Sequence, residues 1–426
     1  MVRLEERKSS THHLPIEVLP PPQKAYIPLI QHIGKPCMDL AVGVGDSVAK
    51  GQKIATAQAQ ISSPVHASVS GKVTAIQPWP HPVLNRCQTI VIAYDGNDET
   101  AHAGTRSDQE IARLTADEIR HMVFEAGIVG MGGASFPTHV KLNPPKPVHT
   151  LIINGAECEP CLTADDRLMV ENTNEIIKGI GLMARCLNAK TVCIAIEDNK
   201  PDAIAAFRHA IRNTQYAIRI LKSYYPQGGE KQLIKNVLHT EVPRGKLPFD
   251  VGASVQNVAT VFAAYETVYL DKPLIERVVT VTGSCIANPK NLLVRIGTPI
   301  QELISACGPL KEEPAKIIIG GPMMGIAQYT DLVPVIKSTN GIILMNAREA
   351  EWLQEQPCIR CGACVRECPA GLMPCMINLA SLKNLMAQAK EYGALDCIEC
   401  GICNYVCPAS RNLLQTIKRA KLEMPK

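Results

Sequence analysis

The chain of 426 residues is poor in aromatic side chains and carries little net charge. Phe, Trp and Tyr make up only 4% of the residues, which disfavours the stacking surfaces that bind single-stranded nucleic acids. A formal net charge of +4 is too small to indicate a nucleic-acid-binding protein. Hydrophobic residues account for 46% of the chain, enough to build ordinary buried cores, so wholesale disorder is excluded.

The sequence also lacks the uninterrupted run of about 18 apolar residues that a membrane-spanning helix requires. The nearest stretch, residues 251–270, contains Ser254, Asn257 and Glu266 and predicts a core helix of a globular domain. The first ten residues are charged and no apolar segment follows them, so no secretory signal is expected. We therefore expect a reducing compartment, where abundant cysteine indicates metal or redox chemistry rather than disulfides.

Cysteine is the residue that the chain has in excess, with 17 copies. Eight of them form two repeats of the pattern C-x2-C-x2-C-x3-C-P, which end at Pro369 and Pro408. The first three thiolates of such a repeat bind one [4Fe–4S] cluster, and in two-cluster proteins the fourth comes from the other repeat. The predicted ligands are Cys358, Cys361, Cys364 and Cys407 for cluster 1, and Cys397, Cys400, Cys403 and Cys368 for cluster 2.

Zinc is the alternative metal for this segment, because C-x2-C pairs also form structural zinc sites. Two full repeats, each followed by proline, favour iron–sulfur clusters. Cys375 lies outside both repeats, and we expect it to be a buried thiol rather than a ligand.

Clusters of glycine, proline and polar residues divide the rest of the chain into segments that differ in their predicted secondary structure. Residues 1–105 have short β-type runs, and residues 106–272 alternate apolar runs at 150–153, 191–196 and 217–221 with helical segments. Residues 273–347 are again rich in β-type runs, and residues 348–426 suit short helices around the cysteines. The expected fold class is therefore multi-domain, with α+β and α/β parts.

Two loops in the α/β segment carry candidate ligand-binding residues. Gly130, Gly132 and Gly133 allow a ligand to approach the backbone closely, and Lys141 supplies a cation for a phosphate, although a tight turn without a ligand is the alternative. The second loop follows the apolar run at 150–153, in the position where open α/β sheets bind ligands. Its polar residues are Asn154, Glu157 and Glu159, and a solvated acidic turn is the alternative interpretation. Cys158 and Cys161 add an isolated C-x2-C pair, which is consistent with a metal site, a redox pair or neither.

Two further segments suit the same ligand. Gly229 and Glu230 open a helical pattern and so place backbone N–H groups at a helix start. Asn257 and Thr260 are polar residues in an otherwise apolar segment, where they need either a ligand or a backbone partner.

Together these segments resemble the flavin-bearing, NADH-oxidising subunit family of respiratory complex I and, within it, the RnfC subunits of Rnf electron-transport complexes. The matching positions are Gly130, Gly132, Gly133, Phe136, Pro137 and Lys141; Asn154, Glu157, Glu159 and Pro160; Gly229 and Glu230; and Val255, Asn257, Val258 and Thr260. The resemblance implies noncovalent FMN, with Lys141 and the glycines near its phosphate. It also implies NADH stacked on the flavin beside Phe136, Glu157 and Glu230.

The resemblance further implies the function of a peripheral electron-input subunit. Electrons would pass from NADH through FMN and two [4Fe–4S] clusters to iron–sulfur and membrane-embedded partner subunits that translocate Na⁺ or H⁺. The protein would lie on the cytoplasmic face of the bacterial inner membrane. Lys231, Pro226 and Ala156 replace residues that complex I relatives use around the dinucleotide, so a non-catalytic iron–sulfur relay stays an alternative. The flavin subunit of a soluble dehydrogenase is the third hypothesis.

The two β-rich segments also resemble known modules. Residues 43–73 are similar to lipoyl and biotinyl carrier domains, but residues 55–60 contain no lysine for attachment. This predicts a barrel-sandwich hybrid that is not a carrier. Residues 277–345 resemble the soluble-ligand-binding β-grasp module of the same relatives, for which we expect a packing role.

Overall fold

The computed structural model describes residues 2–101, 104–351 and 353–424. The sequence predicts a polar linker over residues 102–108, and its first two residues, 102 and 103, lie outside these ranges. Within them, no helix combines the length and the apolar character needed to cross a membrane.

The N-terminal segment after residue 20 folds into two small antiparallel sheets. Their strands are β2 (Lys24–Pro28), β3 (Asp39–Leu40), β4 (Ser47–Val48), β5 (Lys53–Thr56), β6 (Val65–His66), β7 (Gly71–His81) and β8 (Asn85–Tyr94). One sheet has the order β2-β8-β7-β4 and the other β3-β5-β6. Alternate apolar residues such as Ile27, Ile54 and Ile92 are fully buried between them.

Residues 2–18 do not belong to these two sheets. Strand β1 (Ile16–Val18) pairs in parallel with a strand of the β-grasp segment, from Asn291 to Leu293. Val2 forms an isolated bridge with Tyr225 in the α/β segment. Residues 2–18 therefore contact both the α/β segment and the β-grasp segment, although they fall within the predicted domain 1–105.

The α/β segment contains a four-stranded parallel sheet with helices on both faces. Its elements are α1 (Asp108–Arg113), α2 (Ala116–Glu125), α3 (Thr138–Lys141), β9 (Thr150–Gly155), α4 (Ala164–Glu171), α5 (Thr173–Leu187), β10 (Thr191–Glu197), α6 (Pro201–Ala210), β11 (Ala217–Leu221), α7 (Glu230–Leu238), β12 (Ala253–Asn257) and α8 (Val258–Leu270). The strand order is β11-β10-β9-β12. The predicted apolar runs form β9 and β10, whose side chains are nearly all buried because helices cover both faces of the sheet. The run at 217–221 forms the edge strand β11, which is mostly exposed.

The prediction of one core helix over residues 251–270 is wrong in its first third. Residues 253–257 form strand β12, which pairs with β9, and α8 starts only at Val258. The side chain of Asn257 accepts hydrogen bonds from the backbone N–H groups of Ala259 and Thr260, so this polar residue caps the helix. The pairing with β9 is a long-range contact that local helical spacing does not reveal.

The β-grasp segment forms a six-stranded mixed sheet of order β1-β14-β13-β17-β15-β16. Its own elements are β13 (Glu276–Thr282), β14 (Lys290–Arg295), α9 (Ile300–Ala306), β15 (Lys316–Ile319), β16 (Ile326–Gln328) and β17 (Gly341–Met345). Helix α9 buries Ile300 and Leu303 against the sheet, in one core with Val279 and Ile342. The glycine-rich loop at 320–325 connects β15 to β16 at one end of this sheet.

The C-terminal segment is built from short helices, as its sequence predicts. They are α10 (Ala363–Arg366), α11 (Pro374–Leu382), α12 (Met386–Glu391), α13 (Ile402–Tyr405) and α14 (Leu413–Glu423). Ile377, Leu413 and Ile417 form the centre of their common core, against which Cys364, Cys397 and Cys407 pack. In both repeats the third cysteine lies in a four-residue helix, α10 or α13, so the two repeats have similar local structures.

Candidate functional site

Polar residues from two neighbouring strands meet at the carboxyl edge of the parallel sheet. Strand β9 has β10 on one side and β12 on the other, so the chain direction across the sheet switches at β9. Asn154 and Asn257, near the carboxyl ends of β9 and β12, are partners in the strand register. Such a switch point is where open α/β sheets bind ligands.

The loop at residues 127–137, called the glycine-rich loop from here on, lies directly over this edge. The Thr260 hydroxyl accepts a hydrogen bond from the Met131 N–H at 2.9 Å, which attaches the loop to the start of α8. A Cβ atom on Gly132 would lie 2.7 Å from Nδ2 of Asn257, whereas one on Gly133 would have no neighbour within 4 Å. Residue 132 is therefore glycine because the loop packs on Asn257, and Gly133 leaves exposed backbone open to a ligand.

This difference predicts separate effects for two alanine variants. Gly132→Ala should displace Asn257 from the start of α8 and destabilise the flavin-free protein by about 1 kcal/mol, the usual cost of losing a helix cap. Gly133→Ala should leave the unfolding free energy unchanged and weaken only ligand binding. Thermal unfolding without flavin and flavin titration of both variants measure the two effects. Equal destabilisation by both substitutions would contradict this packing.

An ion pair joins helix α3, which follows the glycine-rich loop, to the start of α7. The Lys141 Nζ lies 2.6 Å from Glu230 Oε1, and the two side chains are 31% and 38% exposed. The Asn154 side-chain amide donates to the carbonyl oxygen of Gly228 at 3.0 Å, which fixes the same turn. Lys141, Asn154, Gly229 and Glu230 therefore surround one crevice, although the Glu230 carboxylate offsets charge that Lys141 would offer to a phosphate.

The loop at residues 156–163, between β9 and α4 and called the acidic loop from here on, places the Glu157 carboxylate at the start of α4. Its carboxylate accepts hydrogen bonds from the N–H groups of Asp165 at 2.8 Å and Asp166 at 3.1 Å. These donors open α4, where a negative charge is favourable. Both oxygens of Glu157 thus have protein partners, and its predicted contact with NADH stays a prediction.

Asp165 is a site residue that sequence reasoning did not find. It accepts a hydrogen bond of 2.6 Å from the Asn257 side-chain amide and so orients the residue that packs against Gly132. Burial, together with the nearby charge of Glu157, raises the pKa of Asp165 well above its usual value. No local pattern marks this residue, since its partner lies 92 positions later.

Two buried lysines support the acidic loop from behind. The Lys8 ammonium donates to the carbonyl oxygens of Glu157 at 2.8 Å, Glu159 at 3.0 Å and, more closely, Leu162. The Lys200 ammonium donates to the carbonyl oxygen of Ala156 at 2.6 Å and lies 2.9 Å from the Glu197 carboxylate. These contacts hold the loop backbone, including the left-handed conformation of Glu157 at φ 46°. The sequence around Lys8 indicates only a charged N-terminus.

The remaining residues predicted for the flavin site, Phe136 and Glu159, lie in different places. Phe136 is half-buried and its carbonyl accepts a hydrogen bond from the Gly130 N–H at 2.8 Å, within the glycine-rich loop. Glu159, in contrast, points away from this crevice to the β-grasp segment, where its carboxylate accepts from the N–H groups of Met323 and Met324. Glu159 therefore has a structural connection that the sequence did not indicate.

Cys158 is half-buried and packs beside the start of α7. Its sulfur accepts a hydrogen bond from the Gly228 N–H at 3.3 Å, and burial raises its thiol pKa to about 12. Burial likewise raises the pKa of Cys161 to about 11. A high thiol pKa opposes formation of the reactive thiolate, so the surroundings favour the packing role over the redox pair.

Four cysteines from both repeats line one pocket of the C-terminal segment. They are Cys368, Cys397, Cys400 and Cys403, and apolar residues that include Leu372, Ile402, Leu414 and Ile417 complete the lining. Backbone N–H groups donate to two of the sulfurs, from Leu372 to Cys368 and from Glu399 to Cys397, both at 3.4 Å. The set matches the crossed ligand set predicted for cluster 2, and N–H···S bonds of this kind tune cluster potentials.

The cysteines predicted for cluster 1 are more exposed. Cys364 lies beside Cys375 and Cys407; burial and these neighbouring thiols raise the pKa of Cys364 to about 11. Cys358 and Cys361 are exposed, in a segment without regular secondary structure. The structure therefore brings Cys407 of the second repeat to the first, and it also places Cys375 there.

The residues present fit both cofactor types. Exposed backbone at Gly133, the Lys141 ammonium and three converging loops suit a phosphate-bearing flavin, and four thiols around one apolar pocket suit a cubane cluster. Among the residues that the structure describes, no three Cys, His, Asp or Glu side chains are arranged around a single metal ion. A parallel α/β flavin site next to a two-cluster segment defines the class of iron–sulfur flavoproteins that transfer electrons.

Family models agree with this class. A Nuo51 FMN-binding domain matches residues 123–266 and a 4Fe-4S dicluster domain matches residues 350–408. The RnfC barrel sandwich hybrid domain matches residues 2–97 and an SLBB domain matches residues 278–327. The predictions of FMN, of 4Fe–4S clusters and of this multi-domain fold class are confirmed, while the domain boundaries and the individual site residues stay predictions.

Curated relatives cover almost the whole chain. The C-subunit of the proton-translocating ferredoxin:NAD(+) oxidoreductase complex of Clostridium ljungdahlii is 48% identical, over 99% of this chain and 93% of the relative. The C-subunit of the Na(+)-translocating ferredoxin:NAD(+) oxidoreductase complex of Acetobacterium woodii is 43% identical, over 98% of this chain and 95% of the relative. The chain belongs to the RnfC family, the C-subunits of ion-translocating oxidoreductase complexes, and the resemblance seen in the sequence is confirmed.

A solved structure supports the fold. A chain of an NAD+-reducing [NiFe]-hydrogenase in the H2-reduced state superimposes with a TM-score of 0.50 at 18% identity, over 71% of this chain and 62% of that one. At this identity the likeness concerns the fold alone.

Proposed function

We propose that this chain transfers electrons between a nicotinamide dinucleotide and the partner subunits of a membrane-associated, Na⁺- or H⁺-translocating complex. The printed names of the relatives, which are subunits of ferredoxin:NAD(+) oxidoreductase complexes, support this function. We further propose that the protein is peripheral and lies on the cytoplasmic face of the bacterial inner membrane. Its partners would be the iron–sulfur and membrane-embedded subunits of the same complex.

The observation that carries this proposal is the direct contact between the two candidate cofactor segments. The Gln232 side chain on α7 donates to the carbonyl oxygen of Pro369, directly after Cys368, at 3.3 Å. The Tyr225 hydroxyl donates to the carbonyl oxygen of Cys400 at 2.8 Å. The pocket proposed for cluster 2 is thus attached to the loops of the flavin site, whereas the exposed Cys358 and Cys361 leave cluster 1 accessible to a partner.

When bound, FMN supplies two-electron hydride chemistry with NAD(H) and one-electron chemistry with the clusters. The residues of this chain would position it: Gly130, Gly132, Gly133 and Lys141 around the phosphate, with Thr260 and Asn257 holding the loop. Phe136 and Glu230 would border the dinucleotide. Cys368, Cys397, Cys400 and Cys403 would bind cluster 2, and Cys358, Cys361, Cys364 and Cys407 cluster 1.

Cofactor content and electron exchange with NAD(H) test this function. Anaerobically reconstituted full-length protein should contain one FMN and about eight iron atoms, the content of two [4Fe–4S] clusters. Clusters reduced with dithionite should form NADH when NAD⁺ is added, with loss of their EPR signals. A protein that has both clusters but binds no FMN and transfers no electrons to NAD⁺ would instead be the non-catalytic relay.

A further inference from the structure

Three domains meet around the backbone of Cys400. Tyr225, only 1% exposed, donates its hydroxyl hydrogen to the Cys400 carbonyl at 2.8 Å, and the same hydroxyl lies 3.4 Å from Oε1 of Glu159. Tyr225, Cys400 and Ile402 share one apolar core, against which Cys158 and Met323 pack. The acidic loop, the turn before α7 and the second cysteine repeat therefore contact one another directly.

The β-grasp segment completes this contact through its glycine-rich loop at 320–325. The Glu159 carboxylate accepts hydrogen bonds from the N–H groups of Met323 at 3.1 Å and Met324 at 2.8 Å. A Cβ atom on Gly321 would collide with that carboxylate, so only glycine allows this approach. Gly401, in the left-handed region at φ +78°, leaves room for the Met323 carbonyl, which a Cβ atom would meet at 2.9 Å.

We propose that Glu159, Tyr225 and the 320–325 loop form a clamp that holds cluster 2 against the flavin domain, with Tyr225 as a positioning residue for electron transfer. The inference rests on the proposed function, because the clamp acts on a cluster that Cys400 binds. In this proposal Glu159 acts on cluster 2 rather than on the flavin. The β-grasp domain, for which the sequence predicts a packing role, takes part in positioning the cluster.

The clamp acts on cluster 2 in two ways. The hydrogen bond directs the positive end of the O–H dipole at the backbone of a ligand, which stabilises the additional negative charge of the reduced cluster. Because the Cys400 carbonyl is buried with Tyr225, loss of the hydroxyl also leaves that carbonyl without this partner and loosens the contact with the flavin domain. Removing one oxygen atom should therefore lower the reduction potential of cluster 2 and slow its electron exchange with the flavin.

Tyr225→Phe in the full-length holoprotein tests the clamp, with Tyr224→Phe as the matched control because Tyr224 is 41% exposed. Iron and FMN content should equal wild type in both variants. The measured quantity is the ratio of reduced cluster 2 to reduced cluster 1 when half of the total cluster is reduced. In Tyr225→Phe this ratio should be roughly three- to tenfold lower than in wild type, which is the effect of one hydrogen bond. The EPR signal and potential of cluster 1 should not change. A Tyr225→Phe protein with wild-type potentials and electron-exchange rate would overturn the inference.

Glu159→Gln provides a second, independent variant. Its amide nitrogen cannot accept a hydrogen bond from the backbone, so one of the two bonds to the 320–325 loop is lost. An altered cluster 2 signal with normal FMN content supports the clamp, whereas lost FMN with an unaltered cluster 2 returns Glu159 to the flavin site and contradicts it. Wild-type protein without two clusters would refute the proposed function itself; wild-type protein with both, and no effect in either variant, would refute only the clamp.

Discussion

The Cys368→Ser variant is expected to lose cluster 2 and to keep cluster 1, although Cys368 lies in the first repeat. The structure supports this crossed assignment because Cys368 lines one pocket with Cys397, Cys400 and Cys403. The iron content should fall from about eight to about four atoms, the content of one cubane cluster. EPR of the reduced protein should retain the signal that disappears in Cys361→Ser.

Cys375→Ser is the matched control for this experiment. Cys375 lies next to Cys364, but it is outside both repeats, so its loss should leave the iron content unchanged. The assignment would be contradicted if Cys368→Ser removed the same signal as Cys361→Ser. If Cys375→Ser lost cluster 1 while Cys407→Ser kept it, Cys375 would replace Cys407 as the fourth ligand.

The Lys141→Met variant should bind FMN about 10- to 100-fold more weakly than wild type, since a hydrogen bond to a charged group contributes about 1.5–3 kcal/mol. The opposite substitution, Glu230→Gln, removes the carboxylate that lies 2.6 Å from the Lys141 ammonium. Because Lys141 then has its full charge for the phosphate, FMN affinity should stay the same or rise. Isothermal titration of the flavin-free proteins measures both constants.

Lys146→Met is the control for charge alone, since Lys146 is 57% exposed and pairs with Asp250 instead. It should bind FMN like the wild type. A Lys141→Met protein with unchanged FMN affinity would remove Lys141 from the phosphate site. A parallel loss of affinity in Glu230→Gln would show that Glu230 contacts the flavin rather than regulating Lys141.

The sequence predicted the features that depend on spacing along the chain. Cysteine positions in the two repeats determine which thiols come together, because three ligands of each cluster lie within seven residues of one another. The apolar runs predicted strands β9 and β10, because a buried parallel strand needs a continuous apolar segment. The run at 217–221 predicted β11, which is the mostly exposed edge strand. The glycines of the loop before α3, Lys141 at the end of α3 and Asn154 near the carboxyl end of β9 likewise lie around the sheet edge where open α/β sheets bind ligands.

Contacts between distant segments were not predictable from one sequence. Lys8 reaches carbonyl oxygens about 150 positions away, and Tyr225 reaches Cys400 across 175 positions. Neither residue belongs to a short motif that would mark it. Glu159 shows the same limit, since its place in the acidic loop suggested the flavin while its carboxylate contacts the β-grasp segment.

The sequence pattern gave a wrong prediction where pairing with a distant strand determines the secondary structure. Residues 253–257 fall within the stretch 251–270 for which the sequence predicts one core helix, yet they form a strand, because they pair with β9. The strand ends at Asn257, which then caps α8 and contacts Gly132. Asn257 is polar in an otherwise apolar segment because it ends the strand and caps the helix.

Cluster 2 is proposed to connect the flavin to the rest of the electron path, and cluster 1 to connect that path to partners. The rate of electron transfer between NAD(H) and the remaining cluster, measured in two single-cluster variants, tests this order most directly. Cys361→Ser, which keeps cluster 2, should exchange electrons with NAD(H) at close to the wild-type rate. Cys403→Ser, which keeps only cluster 1, should lose nearly all exchange while still binding FMN. The reverse pattern, with exchange through cluster 1 alone, would contradict the proposed order of the clusters.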